Sequence, residues 1–267
     1  MNSYSPRVAA VTGASSGIGR AIAVALGALG WKVALGARRL DALATTAELV
    51  RLEGGIACSH VLDVTDPALV DEFFSVAEAA LGPVDALVNN AGTAVPGLLV
   101  DTDPAGLARE VDTNLLGPLL CTRRVLPAML EAGRGDVVFV SSDAARTPRP
   151  GLIGYSASKA ALETVARVVD METEGRGVRT TVIRVGPTLT DFAGEWAPGT
   201  FEHLIEIWPR FGIQRHFNTI EPADIASVVV HALTAPAHAR HDTIEVQPVA
   251  PLTERSSESR AGGPAVP

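Results

Sequence analysis

The sequence predicts a doubly wound α/β fold, a parallel sheet of about seven strands with helices on both faces. Three observations predict it. Short apolar, β-branched runs alternate with longer Ala- and Leu-rich helical stretches from the first residues onward. Runs such as Val137–Val140 are apolar without alternation, as strands covered on both faces require. The chain has 267 residues, 47% of them hydrophobic and 19% charged, which suits one large, well-filled domain better than two ordinary ones.

In order, strands are expected at Arg7–Thr12, Lys32–Gly36, Ile56–Leu62, Ala86–Asn89, Asp136–Ser141, Val178–Val185 and Asp242–Gln247. Helical spacing falls between them at Ile18–Leu29, Leu40–Leu52, Pro67–Ala80, Leu107–Glu131, Ser156–Glu174 and Ala223–Leu233. This alternation implies βαβ units with right-handed crossovers. Two regions break the rhythm. Residues 187–221 are punctuated by Pro and Gly, and residues 251–267 are rich in Ser, Gly and Pro. A single domain is therefore expected over residues 1–250, followed by a flexible polar tail at 251–267.

Composition excludes several classes. With a net charge of −8 and no basic run, the chain lacks the clustered cations that nucleic acid demands. Cys58 and Cys121 are far apart and in no CxxC spacing, so neither a disulfide framework nor a zinc site is suggested. Of the six histidines only His238 and His241 are close, in a Pro/Ala-rich segment that reads as surface, so no metal is expected. The N-terminus shows no signal-peptide pattern. The longest apolar run, Ala21–Trp31, is too short to span a bilayer. A cytoplasmic protein without membrane contact is the expectation.

The first strand ends in TGASSGIGRAIA, with Gly13, Gly17 and Gly19 between a strand and a helix. Glycines there let the backbone turn tightly and approach a pyrophosphate, and the helix start offers free N–H groups to it. A plain turn is the alternative. The second signal is YSASK. The chain has two tyrosines, and of its 22 basic residues only Lys32 and Lys159 are lysine, yet Tyr155 and Lys159 stand four apart. On a helix they share a face. This could be coincidence on a solvated surface, or an ammonium placed to lower the pKa of a phenol.

TGxxxGxG, Asp63-Val64, NNAG at 89–92, Ser142 thirteen residues before Tyr155, and YxxxK together resemble the short-chain dehydrogenase/reductase family, in its single-domain, Rossmann-type branch. The resemblance runs from about residue 7 to 248. It implies an NAD(P)-dependent oxidoreductase with a catalytic tetrad of Asn114, Ser142, Tyr155 and Lys159. In that tetrad Tyr155 passes the proton to and from the carbonyl oxygen, and Lys159 tunes Tyr155 and holds ribose hydroxyls. Ser142 donates to the substrate oxygen, with Ser141 the competitor, and the Asn114 carbonyl anchors a water. The implied cofactor contacts are Gly13, Ser15, Ser16, Gly17, Ile18 and Gly19 in the first loop, and Asp63 and Val64 at the adenine. Asn89, Ala91 and Gly92 would wall the nicotinamide ribose, while Asn90 braces the central strand. Gly186, Thr188 and Thr190 follow the sixth strand, where VGPTLT departs from the family's usual Pro-Gly by placing Val185 ahead of Gly186.

Cofactor choice turns on GARRLD after the second strand. No acidic residue stands there to accept from a ribose 2′-hydroxyl, and Arg38, with Arg39 as the second partner, can meet a 2′-phosphate. NADP is therefore expected, with NAD the second choice, although Ser16 stands where some NADP users carry another basic residue. Residues 192–217 hold Phe192, Phe201, Phe211, Phe217, Trp196 and Trp208 in a chain with 4% aromatics. This segment reads as a lid at 187–221 over a largely apolar carbonyl or alcohol, with Trp196 a wall. In the family, the helices holding residues 107–131 and 156–174 pack on symmetry mates, implying a homotetramer, with a dimer second. A binding protein that senses NAD(P) without turnover is the alternative function on the same fold.

Overall fold

The computed structural model describes residues 7–190, 192, 196, 199–213 and 216–251, without the side chains of Phe201 and Glu202. Apart from Pro251, the tail expected at 251–267 lies outside the described residues. Seven parallel strands form one sheet in the order β3-β2-β1-β4-β5-β6-β7. They are β1 (Val8–Thr12), β2 (Lys32–Ala37), β3 (Ile56–Val61), β4 (Ala86–Asn89), β5 (Gly135–Ser142), β6 (Val178–Val185) and β7 (Thr243–Val246). The helices are α1 (Gly17–Ala28), α2 (Leu40–Leu52), α3 (Pro67–Leu81), α4 (Pro104–Val111), α5 (Gly117–Ala132), α6 (Ile153–Glu172), α7 (Thr200–Ile207) and α8 (Pro222–Leu233).

Side chains alternate across each strand, so a sheet covered twice needs apolar residues at every position. Strand β1 shows it: Ala9 and Val11 join a core under α1, α2 and α8. Val8 and Ala10 join the opposite core under α3, α5 and α6, with Phe73, Phe74 and Phe139. The edge strands β3 and β7 are only partly buried and carry the polar residues Ser59, His60 and Glu245.

Two elements differ from the sequence expectation. The single helix expected over Leu107–Glu131 is two helices joined by a π turn at Asp112–Leu116. Pro118 has no N–H to give the Asn114 carbonyl four residues back, so a regular α ladder cannot run through this point. The irregular 187–221 stretch contains α7 and a 3-10 turn at Trp208–Phe211. Its helical signal was hidden by flanking Pro and Gly.

The strand order reverses between β1 and β4, and the loops after these strands meet at the carboxyl edge of the sheet. That crevice is where open α/β sheets take ligands.

Candidate active site

The glycine loop is shaped for a close approach. Gly13 has φ +67, and a Cβ on it would stand 2.9 Å from the Ala91 Cα. A Cβ on Gly19 would lie 2.3 Å from the Gly13 carbonyl oxygen, so α1 packs directly on the turn. Asn90 ties the two loops together by donating through Nδ2 to the carbonyl oxygens of Thr12 at 2.9 Å and Gly13 at 3.3 Å. Ser16 is the N-cap of α1, but its side chain makes no capping bond. It accepts instead from Arg39 Nη2 at 3.1 Å, and Ser15 Oγ accepts from the same group at 3.2 Å. The first-turn N–H groups at Gly17, Ile18 and Gly19 are thus without a side-chain cap. Thr190 closes the slot from above, its Cγ2 3.3 Å from where a Gly17 Cβ would be.

Arg39, not Arg38, reaches this loop. Strand β2 runs one residue beyond the expected end, so Arg38 is exposed and has no polar partner among the described residues. Arg39 then stands at the N-cap of α2 and turns toward the serines. Other expected contacts are scattered. Asp63 lies two residues past β3 and accepts from the Thr65 N–H at 3.0 Å and hydroxyl at 2.7 Å, an Asx turn. Val64 is buried in the α3-side core. Asn89 turns away from the crevice and donates to Thr122 Oγ1 at 3.1 Å, leaving its buried Oδ1 without a partner. Gly186 packs on Gln247, and Thr188 donates to the Gly186 carbonyl oxygen at 2.9 Å.

The four tetrad positions converge. Asn114, in the π turn, accepts from the Thr93 N–H through Oδ1 and donates through Nδ2 to the Thr93 carbonyl oxygen, both at 2.8 Å, and to Ser158 Oγ at 3.1 Å. Gly92 brings the loop after β4 against this group, since a Cβ there would stand 3.4 Å from Asn114 Oδ1 and 3.5 Å from Lys159 Nζ. Lys159 is buried, donates to the Val140 carbonyl oxygen at 2.8 Å, and lies 5.8 Å from the Tyr155 ring centre. Ser142 ends β5, and its hydroxyl favours the Tyr155 phenolate. Ser141 points the other way and donates to Glu163 Oε1 at 2.8 Å.

At Tyr155 desolvation is the largest influence and holds the phenol above its ordinary value. Ser142 and Arg149 oppose that rise, while Asp143 and Glu110 add to it. Burial also pulls Lys159 down to about 8, so the ammonium is held only weakly.

Three charged residues at the site were not singled out from sequence. Asp143 follows Ser142 and pairs with both terminal nitrogens of Arg149 at 2.6 and 2.7 Å. Glu110 on α4 is fully buried, accepts from the Val95 N–H at 2.9 Å, and lies near the Tyr155 backbone N–H. In sequence these charges look like any solvated helix or loop residue; only their burial marks them.

The aromatic segment folds beside Tyr155. Phe192 lies 5.7 Å from its ring, and Trp196 donates to the Ala94 carbonyl oxygen at 3.2 Å. Trp208 is buried with Ala94, Leu152 and Leu204. Phe192, like Phe211 and Phe217, is exposed, and the Phe201 side chain lies outside the described residues. His238 and His241 are off any helix, the His241 ring meeting His231 at 4.9 Å.

The sequence profile described as short chain dehydrogenase matches residues 7–200. The chain belongs to the short-chain dehydrogenase/reductase family. It is 39% identical over 244 residues to a glycine betaine reductase of Emericella nidulans, covering 91% of this chain. It is 40% identical over 183 residues, 67% of this chain, to a short chain dehydrogenase of Pseudocercospora fijiensis. This short-chain dehydrogenase/reductase spans only 19% and 59% of the lengths of those relatives. Among solved structures, an alcohol dehydrogenase from the archaeon Thermococcus sibiricus, complexed with 5-hydroxy-NADP, superposes with a TM-score of 0.80 at 30% identity. That match covers 94% of this chain and 100% of the other.

Proposed function

We propose that the protein is an NADP(H)-dependent oxidoreductase interconverting a carbonyl and a secondary alcohol on a largely apolar small molecule. The observation that carries this is the convergence of Tyr155, buried Lys159 5.8 Å from its ring, and Ser142 at the end of β5, with Asn114 fixed behind them. The cofactor supplies or accepts the hydride. The residues of the chain handle the proton and the charge. Ser142 donates to the substrate oxygen and stabilises negative charge developing there. Tyr155, still a phenol at neutral pH, gives its proton to that oxygen during reduction and recovers it during oxidation. Lys159, with a pKa near 8, exchanges protons readily at working pH and is placed to resupply Tyr155. Asn114 holds the Thr93 backbone and Ser158 so that the loop after β4 and helix α6 keep their spacing.

The glycine loop fits a dinucleotide, because its backbone is open where a pyrophosphate would lie and its helix start is uncapped. Arg39 supports NADP, since its guanidinium sits on the two serines of that loop and can fork onto a 2′-phosphate. The Thermococcus neighbour's bound NADP derivative points the same way. Phe192, Trp196 and Leu152 beside Tyr155 support an apolar substrate. The family's packing of α5 and α6 on symmetry mates supports a homotetramer, and no helix among the described residues is long and apolar enough to cross a membrane.

The test is a panel of apolar ketones, small keto acids and the aldehyde of glycine betaine, run with both cofactors. Apolar ketones with NADPH should be turned over best. Tyr155→Phe should still bind NADPH yet lose about 10²–10⁴-fold in kcat. The NADPH preference should shrink in Arg39→Ala. Near-normal turnover by Tyr155→Phe overturns the assignment.

A further inference from the structure

We propose that the buried Asp143–Arg149 ion pair is a positioning device for Ser142 and Tyr155, in which Arg149 occupies the Asp143 carboxylate and so leaves the Ser142 hydroxyl free for the substrate oxygen. The inference rests on the proton-transfer reading above and goes beyond it, to residues outside the tetrad.

The geometry is specific. Asp143 lies in the 3-10 turn Asp143–Ala145 that follows β5, and the Ser142 hydroxyl accepts from the Ala144 N–H at 3.1 Å within the same turn. Arg149 belongs to the loop leading into α6, and its backbone N–H donates to Ser156 Oγ at 3.3 Å. The side chains of the pair are 11% and 10% exposed, and the Arg149 guanidinium lies 5.5 Å from the Trp208 ring. Gln247 from beyond β7 adds one long bond to Asp143, at 3.4 Å. The pair therefore sits between the catalytic serine and the aromatic wall.

Bond lengths decide what the pair does. The two guanidinium bonds, at 2.6 and 2.7 Å, are short and charge-assisted, whereas Ser142 Oγ donates to Asp143 Oδ1 at 3.3 Å. That exceeds the usual range for an O–H···O bond, so Asp143 holds the serine proton loosely. A carboxylate without its guanidinium would draw the neighbouring hydroxyl into a short, strong bond. Ser142 would then have no proton to give either the substrate oxygen or the Tyr155 phenolate. Three charged side chains bear on Tyr155 from other elements: Asp143 from its turn and Glu110 from α4 disfavour the phenolate, and Arg149 from its loop favours it. Lys159 faces Tyr155 from α6 itself, and removing Arg149 shifts this balance only one way.

The chain has two tyrosines, so the difference in near-ultraviolet tyrosinate absorbance from Tyr155→Phe reads Tyr155 alone. In the cofactor-free protein, Arg149→Met should move that titration to higher pH, while Arg149→Lys stays close to wild type. Asp143→Asn should move it lower, and Asp143→Asn with Arg149→Met should return it to wild type or below. The oxidation of 1-phenylethanol at pH 7 should fall about tenfold in Arg149→Met and recover in the double variant. If Arg149→Met does not accumulate folded, the downward shift in Asp143→Asn carries the test. Superposable titrations in all variants, with activity changing only as folded protein is lost, overturn this inference and leave the proton-transfer reading standing. Full activity in Tyr155→Phe would instead bring down that reading and this inference together.

Discussion

Lys159, a member of the proposed tetrad, illustrates how one residue can be costly to the fold. It is 4% exposed, with the Val140 carbonyl as its hydrogen-bond acceptor, and burial pulls it from 10.5 down to about 8. Below pH 8 both the folded and unfolded chains hold the proton, and the cost of burying the charge is fully present. Between pH 8 and 10.5 the folded chain has released a proton that the unfolded chain keeps, so this cost fades as pH rises. Lys159→Met should therefore stabilise the cofactor-free protein at pH 7, by on the order of 3 kcal/mol, while abolishing turnover. Thermal unfolding at several pH values reads the effect. A stabilisation as large at pH 10.5 as at pH 7 would show that packing, not the charge, is responsible.

At the scale of elements, α6 is the critical one, because it carries Tyr155 and Lys159 and begins without a capping side chain at Leu152. Beside its N-terminus Glu110 on α4 lies against Gly154, its buried Oε2 without a hydrogen-bond partner, while Oε1 holds the Val95 N–H of the loop after β4. Burial holds Glu110 above its ordinary pKa, opposed by the Val95 N–H and by Arg109. A Cβ on Gly154 would lie 2.0 Å from Glu110 Oε2. Gly154→Ala should thus destabilise the protein by about 1–3 kcal/mol, against a helix preference for alanine of about 1 kcal/mol. Urea unfolding measures it, and a stabilised variant would mean that Glu110 is free to swing away. The strands and the helices α1, α2, α3, α6 and α8 were legible in sequence to within three residues, since each pairs a clear period with a turn signal. Helix α7 was not, because its eight residues sit between Pro and Gly and take their stability from Leu204 packing over Gly151.

For the whole molecule, the outer face of α6 poses a question of assembly. Ile153, Ala157, Ala160, Val168 and Met171 repeat at helical spacing and are exposed, while Leu162, Ala166 and Val169 bury against the sheet. Next to this face, Leu119, Leu126 and Leu130 of α5 line a shallow cavity of about 330 Å³ with Val169 of α6. We propose that this two-helix face packs on a second copy, as the family's tetramers do, with a dimer the lesser alternative. Light scattering at micromolar concentration should give a tetramer mass, and Val168→Glu with Met171→Glu should lower it without unfolding the subunit. A wild-type monomer would refute the assembly.

Spacing alone determined the frame of this protein. Gly13, Gly17 and Gly19 mark a turn that only small residues can make, and Tyr155 and Lys159 share a face because helix geometry puts them there. Such features are local, repeating every few residues, and so can be read along the chain. Tertiary structure decided what depends on burial and on approach across the fold. It put Arg39 rather than Arg38 on the glycine loop, closed Arg149 onto Asp143 beside Ser142, and set buried Glu110 under the first turn of α6. It also set the desolvation that bears on Tyr155, which depends on every neighbour at once and which no spacing in the sequence records.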